Sequence, residues 1–164
     1  MGFISGSGTG FVARTAAWAP LPLLAIAAAL LLTPSPASAA ELNVRLQGLR
    51  SARGLVHLCL TRHRDHFPDC AGDPTAVKRS LSASAAGTFS VQLSPGDYAL
   101  SVVHDENGNG KFDTTFLGLP KEGFAFSNDA QPGLASPSFQ AAAFEVGHGP
   151  ATASMHVQYW ASSR

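Results

Sequence analysis

Between His104 and Asp113 the chain reads HDENGNGKFD, with oxygen-bearing side chains at alternate positions. With Asp105 as the first position of a loop, Asn107 and Asn109 are third and fifth, Gly110 sixth, Lys111 seventh and Asp113 ninth. Calcium takes about six to eight oxygen ligands, and alternating Asp and Asn side chains on a tightly curled backbone supply three of them. Glycine at the sixth position permits the sharp turn. The seventh position contributes only its carbonyl, so the charge of Lys111 is no obstacle, and Asp113 binds directly or through water. The twelfth position, glutamate in an EF-hand, is Phe116. That substitution excludes an ordinary EF-hand and leaves Glu122, in PKEGF, as the nearest acid able to complete the set. The expected cation site is therefore Asp105, Asn107, Asn109, Lys111, Asp113 and Glu122, holding calcium weakly, with a Kd of about 10⁻⁴ to 10⁻³ M.

The competing interpretation needs no ion. Asn107-Gly108 and Asn109-Gly110 are hairpin-turn dipeptides, and Asp and Asn favour turns through local backbone hydrogen bonds. It leaves unexplained the aspartates at both the first and ninth positions with unbroken alternation between them. A second chemistry uses His104, which ends a run of alternating apolar residues beside the loop. With Asp105, Asp113 and Glu122 it would make a metal-dependent hydrolase. Neither H-E-x-x-H nor G-x-S-x-G occurs, and no residue is assigned a catalytic role.

The elements that must position these residues are strands. Leu42, Val44 and Leu46 alternate with polar neighbours, as do Val56, Leu58 and Leu60, then Phe89, Val91 and Leu93. Tyr98, Leu100 and Val102 follow, then Ala153, Met155, Val157 and Tyr159. A period of two over such lengths means half-buried strands. Turn signals separate them at Arg53-Gly54 and at Ser94-Pro95-Gly96. FQAAAFEV, residues 139–146, reads as a further strand, and Ala76 to Leu81 as a helical turn. The expected fold is all-β: an antiparallel β-sandwich of about six to eight strands, immunoglobulin-like or prealbumin-like. Residues 114–138 form a long segment rich in Gly, Pro and Ser. Its Phe116, Leu117, Leu119, Phe124 and Phe126 predict packing onto the sandwich rather than free solvation.

An uncharged apolar block at residues 17–32 precedes TPSPASAA, whose Ala37 and Ala39 suit a signal peptidase. Residues 1–39 are expected to be a signal peptide and 40–164 a single domain, exported to the periplasm or secreted. Pro20 and Pro22 interrupt the block, which argues against a retained membrane span. Beyond the leader there are ten basic and eleven acidic residues, a net charge of −1. That balance offers no nucleic-acid footprint and no basic membrane face. Cys59 and Cys70, the only cysteines, are expected to pair in an oxidising compartment.

The run YALSVVHDENGNGKFDTTFLGLPKEGFAFSND resembles the bacterial family catalogued as domain of unknown function 2141. The pattern comprises G-x-Y-A at Gly96, Tyr98 and Ala99, then His104 through Asp113. It continues as L-G-x-P-x-E-G-x-x-F-S-N through Gly118, Pro120, Glu122, Gly123, Phe126, Ser127 and Asn128. The resemblance implies a small exported β-sandwich and extends the loop feature, with His104, Ser127 and Asn128 as binding or loop-organising positions. A second, weaker similarity is to the calcium-binding B-type repeats of Gram-positive surface adhesins, which carry an acid where this chain has Phe116. The resulting expectation is a non-enzymatic binding or structural module, its partner an unidentified protein, glycan or small ligand if it binds one.

Overall fold

The computed structural model describes residues 39–133 and 135–160. The expected signal peptide lies outside the described residues, apart from Ala39. Eight strands follow: β1 Ala40–Gln47, β2 Leu55–Thr61, β3 Val77–Ser82, β4 Thr88–Leu93, β5 Gly96–Asp105, β6 Gly123–Phe126, β7 Phe144–Val146 and β8 Ala151–His156. They form two sheets, one ordered β4-β1-β8 and the other β3-β2-β5-β6, with β7 also pairing β5. All pairs are antiparallel except β1 with β8, which is parallel. The fold is an all-β sandwich.

The alternation read along the chain is realised as burial. Leu42, Val44 and Leu46 of β1 face Val56, Leu58 and Leu60 of β2 across a core completed by Leu100, Val102 and Met155. Burying such side chains is the main force holding the two layers together. The expected turns change sheet: β1 and β2, like β4 and β5, are consecutive in sequence but lie in different layers. Gly54, with φ +75°, sits so close to the end of the neighbouring strand β5 in the same sheet that a Cβ would fall 2.0 Å from the Asp105 carbonyl oxygen. Only glycine fits that approach.

Two local expectations are corrected. Residues 76–81 are not helical, because Val77–Ser82 is the edge strand β3, in register with β2 through Leu60↔Val77 and Val56↔Leu81. Residues 139–146 are not one strand. A helical turn, α1 Phe139–Ala142, precedes β7, and Ser138 caps it by accepting from the Ala141 N–H. Its Phe139 and Ala142 pack with Ala99, Phe124 and Phe126 in a second apolar cluster, with Phe67 stacked edge-on against Phe126 and Phe139. This cluster lies on the outer face of the five-stranded sheet, so that face is not simply solvated.

Cys59 and Cys70 form a disulfide, their Cα atoms 5.6 Å apart, which ties residues 62–72 onto the same outer face. Asp73 braces the loop's end by accepting from Thr61 Oγ1 at 2.5 Å, Thr75 N at 2.8 Å and Thr75 Oγ1 at 2.7 Å. Among the described residues, no helix is long and apolar enough to cross a membrane.

Candidate functional site

The loop grows directly out of β5. Asp105 ends the strand, is 1% exposed, and turns its carboxylate into the curl of backbone that follows. Oδ1 accepts from Gly108 N at 2.7 Å and Asn109 N at 3.3 Å, and Oδ2 from Gly110 N at 2.7 Å. Gly108 and Gly110, at φ +69° and +70°, supply the left-handed turns that aim these N–H groups inward. His57 Nε2 lies 3.4 Å from Oδ2. Burial alone would raise the Asp105 carboxyl, but the Gly110, Gly108 and Asn109 N–H donors with His57 hold it below its ordinary value.

The remaining loop positions link among themselves. Asn107 and Asn109 each donate an amide N–H to Asp113 Oδ2 at 2.8 Å, which lowers the Asp113 carboxyl. Their amide oxygens accept from Asn109 N at 2.9 Å and Lys111 N at 2.8 Å, leaving a lone pair on each. Glu106 turns away from the curl: Arg50 Nε donates to its Oε2 at 2.6 Å and Ser51 Oγ to its Oε1 at 2.6 Å. The Arg50 hydrogen bond, with help from Ser51, holds the Glu106 carboxyl down to about 2 despite partial burial.

Glu122 behaves differently from every other acid here. It is 4% exposed, directly precedes β6, and its Oε2 has no hydrogen-bond partner. Burial, and then the negative charges of Asp105, Asp113 and Glu106, push its carboxyl up to about 7. The backbone puts it there: Lys121 N donates to Asp113 O at 2.9 Å, and Thr114 bridges to Pro120. The next residue, Gly123, is fixed by contact, since a Cβ would fall 2.4 Å from the Tyr159 ring. Among the described residues, no group of three or more His, Cys, Asp and Glu side chains is placed to hold a metal ion.

His104 is buried and both of its ring nitrogens are engaged. Its Nε2 lies 2.9 Å from Arg53 O and must donate, because a carbonyl only accepts. Nδ1 lies 2.6 Å from Tyr159 OH, and Arg50 N in turn donates to that hydroxyl at 3.1 Å. Arg50 also stacks 4.3 Å over the Tyr159 ring. Tyr159 had no place in the motif, yet it joins the chain's end to the strand carrying the loop. Its position one step along the final alternating run was the only available signal.

Ser127 and Asn128 organise backbone. Ser127 Oγ accepts from Leu100 N at 3.0 Å and donates to Ala142 O. Asn128, at φ +60°, donates to Ala143 O at 2.7 Å, and Asp129 accepts from His156 N at 2.8 Å. The S-N-D corner thus ties β6 to β5, α1 and β8.

The segment 114–138 is only partly packed. Phe124 and Phe126 lie buried in β6, and Leu119 lines a cleft, but Phe116 is 96% exposed and Leu117 69%. Thr115 N donates to Leu119 O at 2.7 Å, closing a tight turn that presents both side chains outward. The expectation that all five apolar residues pack on the sandwich is corrected for these two. Phe112, in the curl itself, walls the cleft of about 490 Å³ together with Val103, Leu119, Phe124, Phe126 and Trp160.

No curated protein and no solved structure matches the chain. Residues 44–154, from β1 through β8 and including the loop, Glu122 and the S-N-D corner, match domain of unknown function 2141, described as an uncharacterized protein conserved in bacteria. The chain belongs to that bacterial family.

Proposed function

We propose that this chain is an exported, non-enzymatic binding module, periplasmic or secreted. In this reading loop 105–113 takes up a calcium ion with Glu122, and the ion steadies the segment 114–138. The observation that carries it is the Glu122 carboxylate, buried, lacking a partner at Oε2, and set among the charges of Asp105, Asp113 and Glu106. A buried acid in that position is costly unless a positive charge offsets it. The donors fit a hard cation: Asp105, Asp113 and Glu122 offer carboxylate oxygens, Asn107 and Asn109 amide oxygens, and Lys111 its carbonyl. A bound divalent cation would supply the missing positive charge. The chain's own part is to hold Asp105 by main-chain N–H groups and to bring Glu122 back through the Thr114–Pro120 bridge. A hydrolytic role for His104 finds less support, since its two nitrogens are engaged by Arg53 and Tyr159.

Limited chymotryptic digestion tests the reading, because Phe116 and Leu117 are exposed cleavage sites within the segment. Millimolar calcium is expected to slow cleavage there in the native chain but not in Glu122→Gln, which also controls for calcium acting on the protease. Equal cleavage of the native chain with and without 10 mM calcium would contradict it.

A further inference from the structure

The outer face of the five-stranded sheet grades in character from one edge to the other. Two cross-strand rows span it: Ser80, His57, Val103 and Phe124 in one, Lys78, Cys59, Ser101 and Phe126 in the other. Each begins polar or cationic on β3 and ends aromatic on β6. Residues 62–72, tied down by the disulfide and by Ser101 Oγ donating to Pro68 O, wall the face from one side, and Phe112 from another.

Two hollows result, and they share Pro68, Asp69, Ser101, Val103 and Phe112 as a common boundary. The first, of about 490 Å³, is the apolar cleft above. The second, of about 410 Å³, is bordered by His57, Lys78, Arg79 and Lys111, with Asp69 its single acid. Volumes of this size suit small molecules, and an apolar lining with a few charged groups at one end is the usual form of such a site. We infer that this face binds a small hydrophobic carboxylate, its apolar body among Phe112, Phe124 and Phe126 and its anionic end toward Lys78 and Lys111. The charge complementarity selects the anion, because three cationic side chains outnumber one carboxylate around the second hollow. A neutral homologue would gain only the apolar contact, and a cationic one would meet like charge.

The inference rests on the binding role proposed above but not on calcium. Isothermal titration of the full chain with sodium octanoate, octan-1-ol and octylammonium chloride tests it, each with and without calcium. Octanoate is expected to bind saturably, octanol about tenfold more weakly, and octylammonium more weakly still. The double variant Lys78→Gln/Lys111→Gln should lose about tenfold for octanoate and leave octanol unchanged, while Phe112→Ala weakens both. Both lysines and Phe112 are exposed, so these variants are expected to fold. Absence of saturable octanoate binding, equal binding of the three probes, or full octanoate affinity in the lysine double variant would each overturn the inference. Octanoate binding without any calcium response would fail the cation reading alone, and the reverse would fail this inference alone.

Discussion

At Glu122, burial and the neighbouring negative charges of Asp105 and Asp113 both favour the protonated acid, which is why its carboxyl rises from 4.5 to about 7. Between those values the folded chain keeps a proton that the unfolded chain has released. Stability in calcium-free buffer therefore falls as pH rises through the window, and the full penalty is present above it. Glu106 works in the opposite sense and elsewhere: its paired carboxylate stabilises above 4.5, and that contribution is lost as pH falls toward about 2. Glu122→Gln should abolish the fall between about 4.5 and 7 and leave the calcium-free chain more stable than the native one at pH 8. Urea unfolding of both chains across that range checks it; parallel pH curves would show that Glu122 is not the titrating group. Its neighbour His104 illustrates what residue types alone conceal. In the sequence it is a histidine beside aspartates, but the carbonyl of Arg53 and the hydroxyl of Tyr159 that occupy it come from 51 and 55 residues away.

Among the elements, strands whose two faces differ were legible, and strands with two similar faces were not. β1, β4 and β8 alternate because one side meets the core, and β2 and β5 alternate in residue type although much of both their faces is buried. All four residues of β6 are buried, so Gly123–Phe126 carries no alternation and read as part of a long loop. β3 misled for another reason: Val77 and Leu81 stand four apart, a spacing that fits one helix face and one strand face equally. In FQAAAFEV the small alanines hid the change from a turn of helix to β7. The loop's own alternation was legible, as was the candidacy of Glu122, but the Thr114–Pro120 bridge that returns Glu122 to it had no local signature. Two substitutions separate the parts of this segment. Gly123→Ala should destabilise by about 1–3 kcal/mol, because its methyl would collide with the Tyr159 ring and the Val157 side chain. Phe116→Ser should change stability by less than about 0.5 kcal/mol, since Phe116 is 96% exposed. Chemical denaturation measures both, and a large loss for Phe116→Ser would mean that the turn packs against something.

The described domain is two layers with an elaborated outer face. The pairing of the cysteines was readable from their number and the expected export, whereas their role in walling a cleft depends on which face of β2 carries Cys59. Topology was the least legible level. β1 and β2 part into different sheets, as do β3 and β4 and then β4 and β5, and the parallel β1–β8 pair joins the first described strand to the last. Replacing both cysteines by serine should cost about 3 kcal/mol, as expected for a closed loop with a sequence separation of 11. The Asp73 bracing should keep the fold intact at room temperature, which circular dichroism with urea titration would show. The proposed calcium ion would link these scales, since it would answer Glu122, fix the curl after β5 and steady a wall of the cleft. Isothermal titration of calcium into the native chain and Glu122→Gln at pH 7.5 tests that most directly. The account predicts a single site with Kd of about 10⁻⁴ to 10⁻³ M in the native chain, weakened at least about tenfold in the variant. No saturable heat at 10 mM calcium, or equal binding by both chains, would contradict it.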